Sequence, residues 1–178
     1  MNYEAWIHEI KDFTLPRYSE LPEIPLYLDQ VLEYVNSKLM PIFRYEKYEI
    51  TGSMINNYVK HKMMSAPIKK RYSRNHIAYI MTITILKQIN SIPSISQGIK
   101  AVRSEFGSGD AYDIFIGFVE EGIRHILAQT YDNTSIYLGE EKIVSTLVPM
   151  KAACIAFAAK IVAEHALESL MEEKNNDQ

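Results

Sequence analysis

Around a helix drawn at about 100° per residue, Ile77, Ala78, Ile80, Met81, Ile83, Ile85, Leu86 and Ile89 point in nearly every direction. A helix that is apolar all round offers no face to water, so other helices must enclose it. The chain has 178 residues, enough for one domain with a real core. The fold class this implies is all-α, with a central buried helix that Ser73 is placed to N-cap. The alternation Met81-Thr82-Ile83-Thr84-Ile85 also fits a strand, but the helical pattern on both sides outweighs it.

Prolines divide the rest of the chain into further helices. Glu4 to Phe13 carries Trp6, Ile7, Ile10 and Phe13 on one side, and Pro16 closes that segment. A second helix is expected from Pro25, which suits a first helical turn, to about Leu39, with Pro41 as its stop. Leu28, Val31, Leu32, Val35 and Leu39 give its apolar stripe. Further on, Asp110 is the expected N-cap of a helix reaching about Tyr131, with Phe115, Val119, Ile123, Ile126 and Leu127 inward. The spacing predicts a last helix from about Val148 to Met171. It bears Ala152, Ala153, Ala156, Ala159, Ala163 and Ala166, small enough for another helix to approach closely within the chain or across a homodimer. Glu172 to Gln178 reads as a polar tail that frays.

The net charge of −3 hides a strong asymmetry. From Ile50 to Ser104 the bases are Lys60, Lys62, Lys69, Lys70, Arg71, Arg74, Lys87, Lys100 and Arg103, and the segment holds no Asp or Glu. A basic block inside an otherwise acidic chain is the footprint of a phosphate-binding face, since clustered positive potential draws polyanions and releases their counterions.

Within that block, Thr51 to His61 separates into two faces on a helical wheel. Ser53, Asn56, Asn57, Lys60 and His61 share one arc; Met54, Ile55, Tyr58 and Val59 share the other. Asn pairs bidentately with an adenine edge and Lys reaches guanine or phosphate, so the polar arc suits a helix in the DNA major groove. Lys62 to Tyr72 follows as a short basic loop closed by Pro67 and an aromatic, with the look of a wing. Lys and Arg on such a loop give register and affinity along the sugar–phosphate backbone.

The order of helix, basic wing, Arg71-Tyr72-Ser73, long apolar helix and Ser91-Ile92-Pro93-Ser94-Ile95-Ser96-Gln97-Gly98-Ile99 resembles the winged helix-turn-helix of the mercury-resistance regulator (MerR) family. Met54 to Lys60, Pro67, Lys69 to Arg74 and His76-Ile77-Ala78-Tyr79 are more closely similar to the bacterial family catalogued as domain of unknown function 1836. The resemblance runs from about Leu15 to the end of the basic module and implies a DNA-binding transcriptional regulator. On it, Ile55 and Tyr58 match the recognition-helix Ile and second Tyr of the regulators, and Lys70 and Tyr72 match their wing Arg and Tyr. Asn56 and Asn57 stand where those regulators carry Arg and Tyr, and Pro41 to Ile50 separates the second helix from the recognition candidate by more than a tight turn.

The layout expected is an N-terminal helix and linker over 1–25, a winged helix-turn-helix module over 26–104 and a helical dimerisation or sensing region over 105–178. The expected partner is double-stranded DNA, contacted through Ser53, Asn56, Asn57, Tyr58 and Lys60, with Lys62, Lys69, Lys70, Arg71 and Arg74 on phosphate. Two other readings compete: a protein adaptor whose basic face meets an acidic partner, and a small-molecule effector site among Tyr112, Phe115, Phe118, Tyr131, Tyr137 and Phe157. An enzyme or a cofactor is not expected. Glu121 and His125 lack a third metal ligand at helical spacing, Gly107-Ser108-Gly109-Asp110 lacks the Lys-Ser/Thr of a phosphate loop, and His8, His76 and His165 are isolated. A lone Cys154 among alanines reads as a small buried side chain in a reducing, cytoplasmic setting. The N-terminus lacks the pattern of a secretory signal, and charged residues interrupt the most apolar stretch, Ile143 to Met171, so no membrane partner is expected.

Overall fold

Ten of the eleven residues from His76 to Leu86 are buried, Tyr79 being the exception, and the helix that carries them is the axis of the molecule. The structure is a computed structural model that describes residues 3–43, 48–132 and 143–176. Its helices are α1 (Tyr3–Ile10), α2 (Leu28–Phe43), α3 (Gly52–Lys60), α4 (Arg74–Leu86), α5 (Ile92–Phe106), α6 (Ser108–Asp132) and α7 (Val148–Asn176), with 3-10 turns at Tyr18–Glu20 and Ser145–Leu147. Among the described residues the only β pairing is two isolated antiparallel bridges, Leu26 with Tyr72 and Ile68 with Arg71. The protein is all-α.

One hydrophobic cluster runs from Trp6 on α1 to Val162 on α7, so the core is continuous across residues 25 and 104. Around α4 it gathers Val31, Val35 and Leu39 of α2, Phe115, Ile116 and Val119 of α6, and Phe157 and Ile161 of α7. Among the described residues α6 and α7 pack most extensively, and they approach closely at Gly122. A Cβ on Gly122 would meet the Ala158 Cβ and the Cys154 carbonyl oxygen, each at 3.3 Å. Ala158 therefore serves the intramolecular seam, and of the expected alanine run Ala153 is buried, whereas Ala152, Ala156, Ala159 and Ala163 face outward.

Several expected boundaries are corrected. Helix α2 starts at Leu28 rather than Pro25, because the backbone of Leu26 is used to pair with Tyr72 and Tyr27 donates its N–H to Gln30 Oε1 at 3.0 Å. Pro41 does not stop α2. The helix continues to bury Ile42 and Phe43, and the indole Nε1–H of Trp6 donates to the Pro41 carbonyl at 3.3 Å, satisfying one C-terminal acceptor. Asp110 lies inside the first turn of α6, where its charge still complements the helix dipole, and α7 extends through the expected tail to Asn176. The Ser145–Ser169 stretch is long and apolar enough to cross a membrane by length and composition, a test that core helices of soluble proteins also pass.

Burial pushes the phenol of Tyr112 well above the tyrosine value of 10.0, raises those of Tyr34, Tyr58 and Tyr72, and raises the Cys154 thiol above 9.0. The folded state keeps these protons at pH values where the unfolded chain has lost them. Stability is therefore full below the unfolded values and falls as pH rises past them. The urea midpoint is expected to be flat from neutrality to about pH 9 and to drop steadily by about pH 11. A midpoint unchanged over that upper interval would contradict the burial of these groups.

Candidate nucleic-acid interface

Nine residues are too few for an isolated helix to persist in water, so α3 depends on what holds it. Thr51 caps it: its Oγ1 accepts the Met54 N–H at 3.4 Å and its carbonyl accepts the Ile55 N–H at 3.2 Å. Asn36 of α2 clamps the entry, donating from Nδ2 to the Ile50 carbonyl at 3.1 Å and accepting the Ile50 N–H through Oδ1 at 2.8 Å. Ile55 and Tyr58 sink into the core beneath. Ser53, Asn56, Asn57 and Lys60 are left exposed on the outer face.

Tyr58 is corrected as a contact residue. It is 2% exposed, with its ring in the core and its hydroxyl toward Thr84 and Lys87, and no part of it is free to enter a groove. This burial agrees with its place on the apolar arc of the helical wheel.

Residues 61–73 are non-helical and are anchored at both ends. Met63 and Met64 are buried, and His76 on α4 ties Ser65 to Ser73. The Ser73 N–H donates to His76 Nδ1 at 3.0 Å, so that nitrogen accepts and the proton sits on Nε2, which faces Ser65 Oγ at 3.2 Å. Beyond the anchor the chain reverses over Ile68–Arg71, with the Arg71 N–H donating to the Ile68 carbonyl at 2.9 Å. Tyr72 and Leu26 then exchange two backbone bonds of 2.8 and 2.9 Å, fastening the loop to the segment before α2.

The backbone of this loop is strained. Lys62, Lys69 and Lys70 have φ of 55°, 48° and 63°, and among the described residues they are the only non-glycine positions with positive φ. Positive φ at both central residues is the pattern of a type I′ turn, which favours Asn-Gly. Each L-residue held left-handed costs about 1–2 kcal/mol. The double substitution Lys69→Asn/Lys70→Gly is thus expected to stabilise the protein by roughly 1–2 kcal/mol, raising Tm by about 2–8 °C. Calorimetry showing no gain would mean that the turn is unstrained.

Lys62, Lys69, Lys70 and Arg71 are exposed, and among the described residues no carboxylate pairs with them. Arg71 is held in place by Tyr27: its Nη2 donates to the phenol oxygen at 3.0 Å and its guanidinium carbon lies 4.5 Å from the ring centre. Arg74 differs. It is half-buried, its Nε donates to the Leu21 carbonyl at 3.1 Å and its guanidinium sits over Tyr18, so it braces the N-terminal segment.

The other sequence candidates carry no assembled chemistry. His125 Nδ1 and Lys151 Nζ lie 3.9 and 3.4 Å from Glu121 Oε1, an ion-paired surface group, and the described residues hold no cluster of metal-ligating side chains. His165 is buried against Trp6, with ring centres 3.9 Å apart, and Cys154 is fully buried. Of the aromatics considered for a pocket, Tyr112 and Phe115 line a cavity of about 460 Å³. Phe157 belongs to the core and half-buried Phe118 lies under Lys151, while the side chain of Tyr131 and all of Tyr137 lie outside the described residues. Another wall of that cavity is α5, a helix to which the sequence-based expectations assign no bounds. Its start was marked by Ser91, whose Oγ accepts the Ser94 N–H at 3.4 Å, and by Pro93 in the first turn.

No curated protein and no solved structure matches the chain. The family model described as "Domain of unknown function (DUF1836)" matches residues 16–115. That span holds α2, α3, the strained basic loop, α4 and α5, together with the start of α6. With more than half its length in that match, the chain belongs to the DUF1836 family.

Proposed function

We propose that this protein is a DNA-binding transcriptional regulator that uses a winged helix-turn-helix resembling that of the mercury-resistance regulators. In this reading α3 enters the major groove with Asn56 and Asn57 toward base edges, flanked by Ser53 and Lys60. Lys62, Lys69, Lys70 and Arg71 lie along the phosphates as the wing, while Arg74 stays with the N-terminal segment at Leu21 and Tyr18. The observation that carries the reading is the turn at Lys69-Lys70: two exposed, unpaired lysines occupy positions where Asn-Gly would be more stable. Strain kept at a charged tip fits a site where charge is used. The acid-free run from Ile50 to Ser104 leaves no carboxylate in that run to neutralise the face.

Fluorescence anisotropy with a labelled random-sequence duplex over a salt series tests it. Four phosphate contacts predict a slope of log K against log salt of about −3.6. Absence of binding at low salt, or binding indifferent to salt, would exclude the reading.

A further inference from the structure

The cavity bounded by α4, α5, α6 and the start of α7 has a chemistry of its own. Its walls are mostly apolar, with Ala78 and Leu86 from α4, Ile95 and Val102 from α5, Phe115 from α6 and Met150 from α7, and the neutral polar side chains of Asn75, Asn90, Ser94 and Gln97 among the rest of the lining. Helix α5 packs chiefly on α6, and Ile95, Ile99 and Val102 along its inner side look across the gap toward α4. A volume of about 460 Å³ lies within the range of small-molecule pockets, roughly 300–1,000 Å³. It opens to solvent on the side of Asn90, Ser94 and Arg103, so a ligand can enter without unfolding the helices around it.

A single charged residue, Arg103, lines it. The guanidinium is fixed at the rim by donating to the Tyr79 phenol oxygen through Nη1 and to Ser108 Oγ at 3.0 Å through Nε. Among the described residues no carboxylate pairs with it. Nη2 makes no bond to a described residue, so it is available to an anion at the mouth. An apolar chamber with one oriented, uncompensated guanidinium at its edge selects a ligand with the complementary division: an apolar body and a single anionic head.

We propose that this cavity binds a medium-sized apolar monocarboxylate, its chain among Leu86, Ile95, Val102 and Phe115 and its carboxylate on Arg103. The site does not depend on the DNA reading, and its test uses no nucleic acid. Isothermal titration calorimetry of the full chain with decanoate, and separately with decanol, is the experiment. Decanoate is expected to bind and to raise Tm. Arg103→Gln should weaken decanoate roughly tenfold to a hundredfold while leaving decanol within about twofold, since only the charged head loses its partner. Val102→Phe, which fills the chamber, should abolish both, with circular dichroism confirming an intact helical fold. Failure of wild type to bind decanoate overturns the proposal. So does equal loss of both ligands in Arg103→Gln, or undiminished decanoate binding in Val102→Phe.

Discussion

Replacing Lys69, Lys70 and Arg71 together with alanine is expected to flatten the salt dependence of duplex binding by about 2.7, from three contacts at about 0.9 each. Affinity near 0.1 M salt should fall by roughly two to three orders of magnitude, because each lost contact leaves counterions on the DNA. The fold should hardly notice. All three side chains are exposed, alanine pays the same left-handed backbone cost as lysine, and what is lost is the stacking of Arg71 on Tyr27. Thermal unfolding of the variant within about 1 kcal/mol of wild type separates the charge effect from a structural one. Unaltered affinity in a folded variant would remove the loop from the interface.

Glu120→Ala is expected to destabilise the protein by about 3 kcal/mol, a large part of the roughly 5–15 kcal/mol of a typical domain. The carboxylate of Glu120 is 3% exposed on α6 and works at both oxygens. Oε1 accepts the buried Leu15 N–H at 2.9 Å, and Oε2 meets Arg17 Nη2 at 2.6 Å. Truncation orphans a backbone donor and a cation at once. The figure sits at the low end for buried pairs because the Arg17 side chain is 39% exposed and can turn to water. A neighbouring bond, from the Tyr18 N–H to Asp113 Oδ1 at 2.6 Å, stays in place and limits the damage to one end of the segment. Urea titration should show a lower midpoint with an unchanged slope, and Glu120→Gln should recover part of the loss by keeping the bond to Leu15. A change below about 0.5 kcal/mol would show that the segment is held by its apolar residues alone.

Local signals with one meaning were legible in the sequence. An apolar circumference favours a central helix over the strand that Met81 to Ile85 also fits, and α4 is such a helix, begun by Ser73 as its position implies. The two arcs of α3 were readable because burial of Ile55 and Tyr58 and exposure of Asn56 and Asn57 follow from spacing alone. Signals that depend on tertiary partners were not readable. Pro41 reads as a stop, yet burial of Ile42 and Phe43 and the Trp6 indole outweigh one missing N–H. Pro25 reads as a helix start, yet Leu26 is claimed by Tyr72, a residue far along the chain. The strain at Lys69 and Lys70 ran against sequence preference, since nothing about two lysines announces a left-handed turn. The role of Glu120 and the cavity beside α5 were invisible for a related reason: each is made by residues that only the fold brings together.

The central claim is that the outer face of α3 and the basic loop meet DNA. Amide chemical-shift mapping of the 20.5 kDa chain, titrated with a short duplex, tests it most directly. The account predicts perturbations concentrated at Ser53, Asn56, Asn57, Lys60 and Lys62 and over Ile68–Arg71, with the amides of α7 unmoved. Perturbations centred on α6 and α7, or none at low salt, would contradict it.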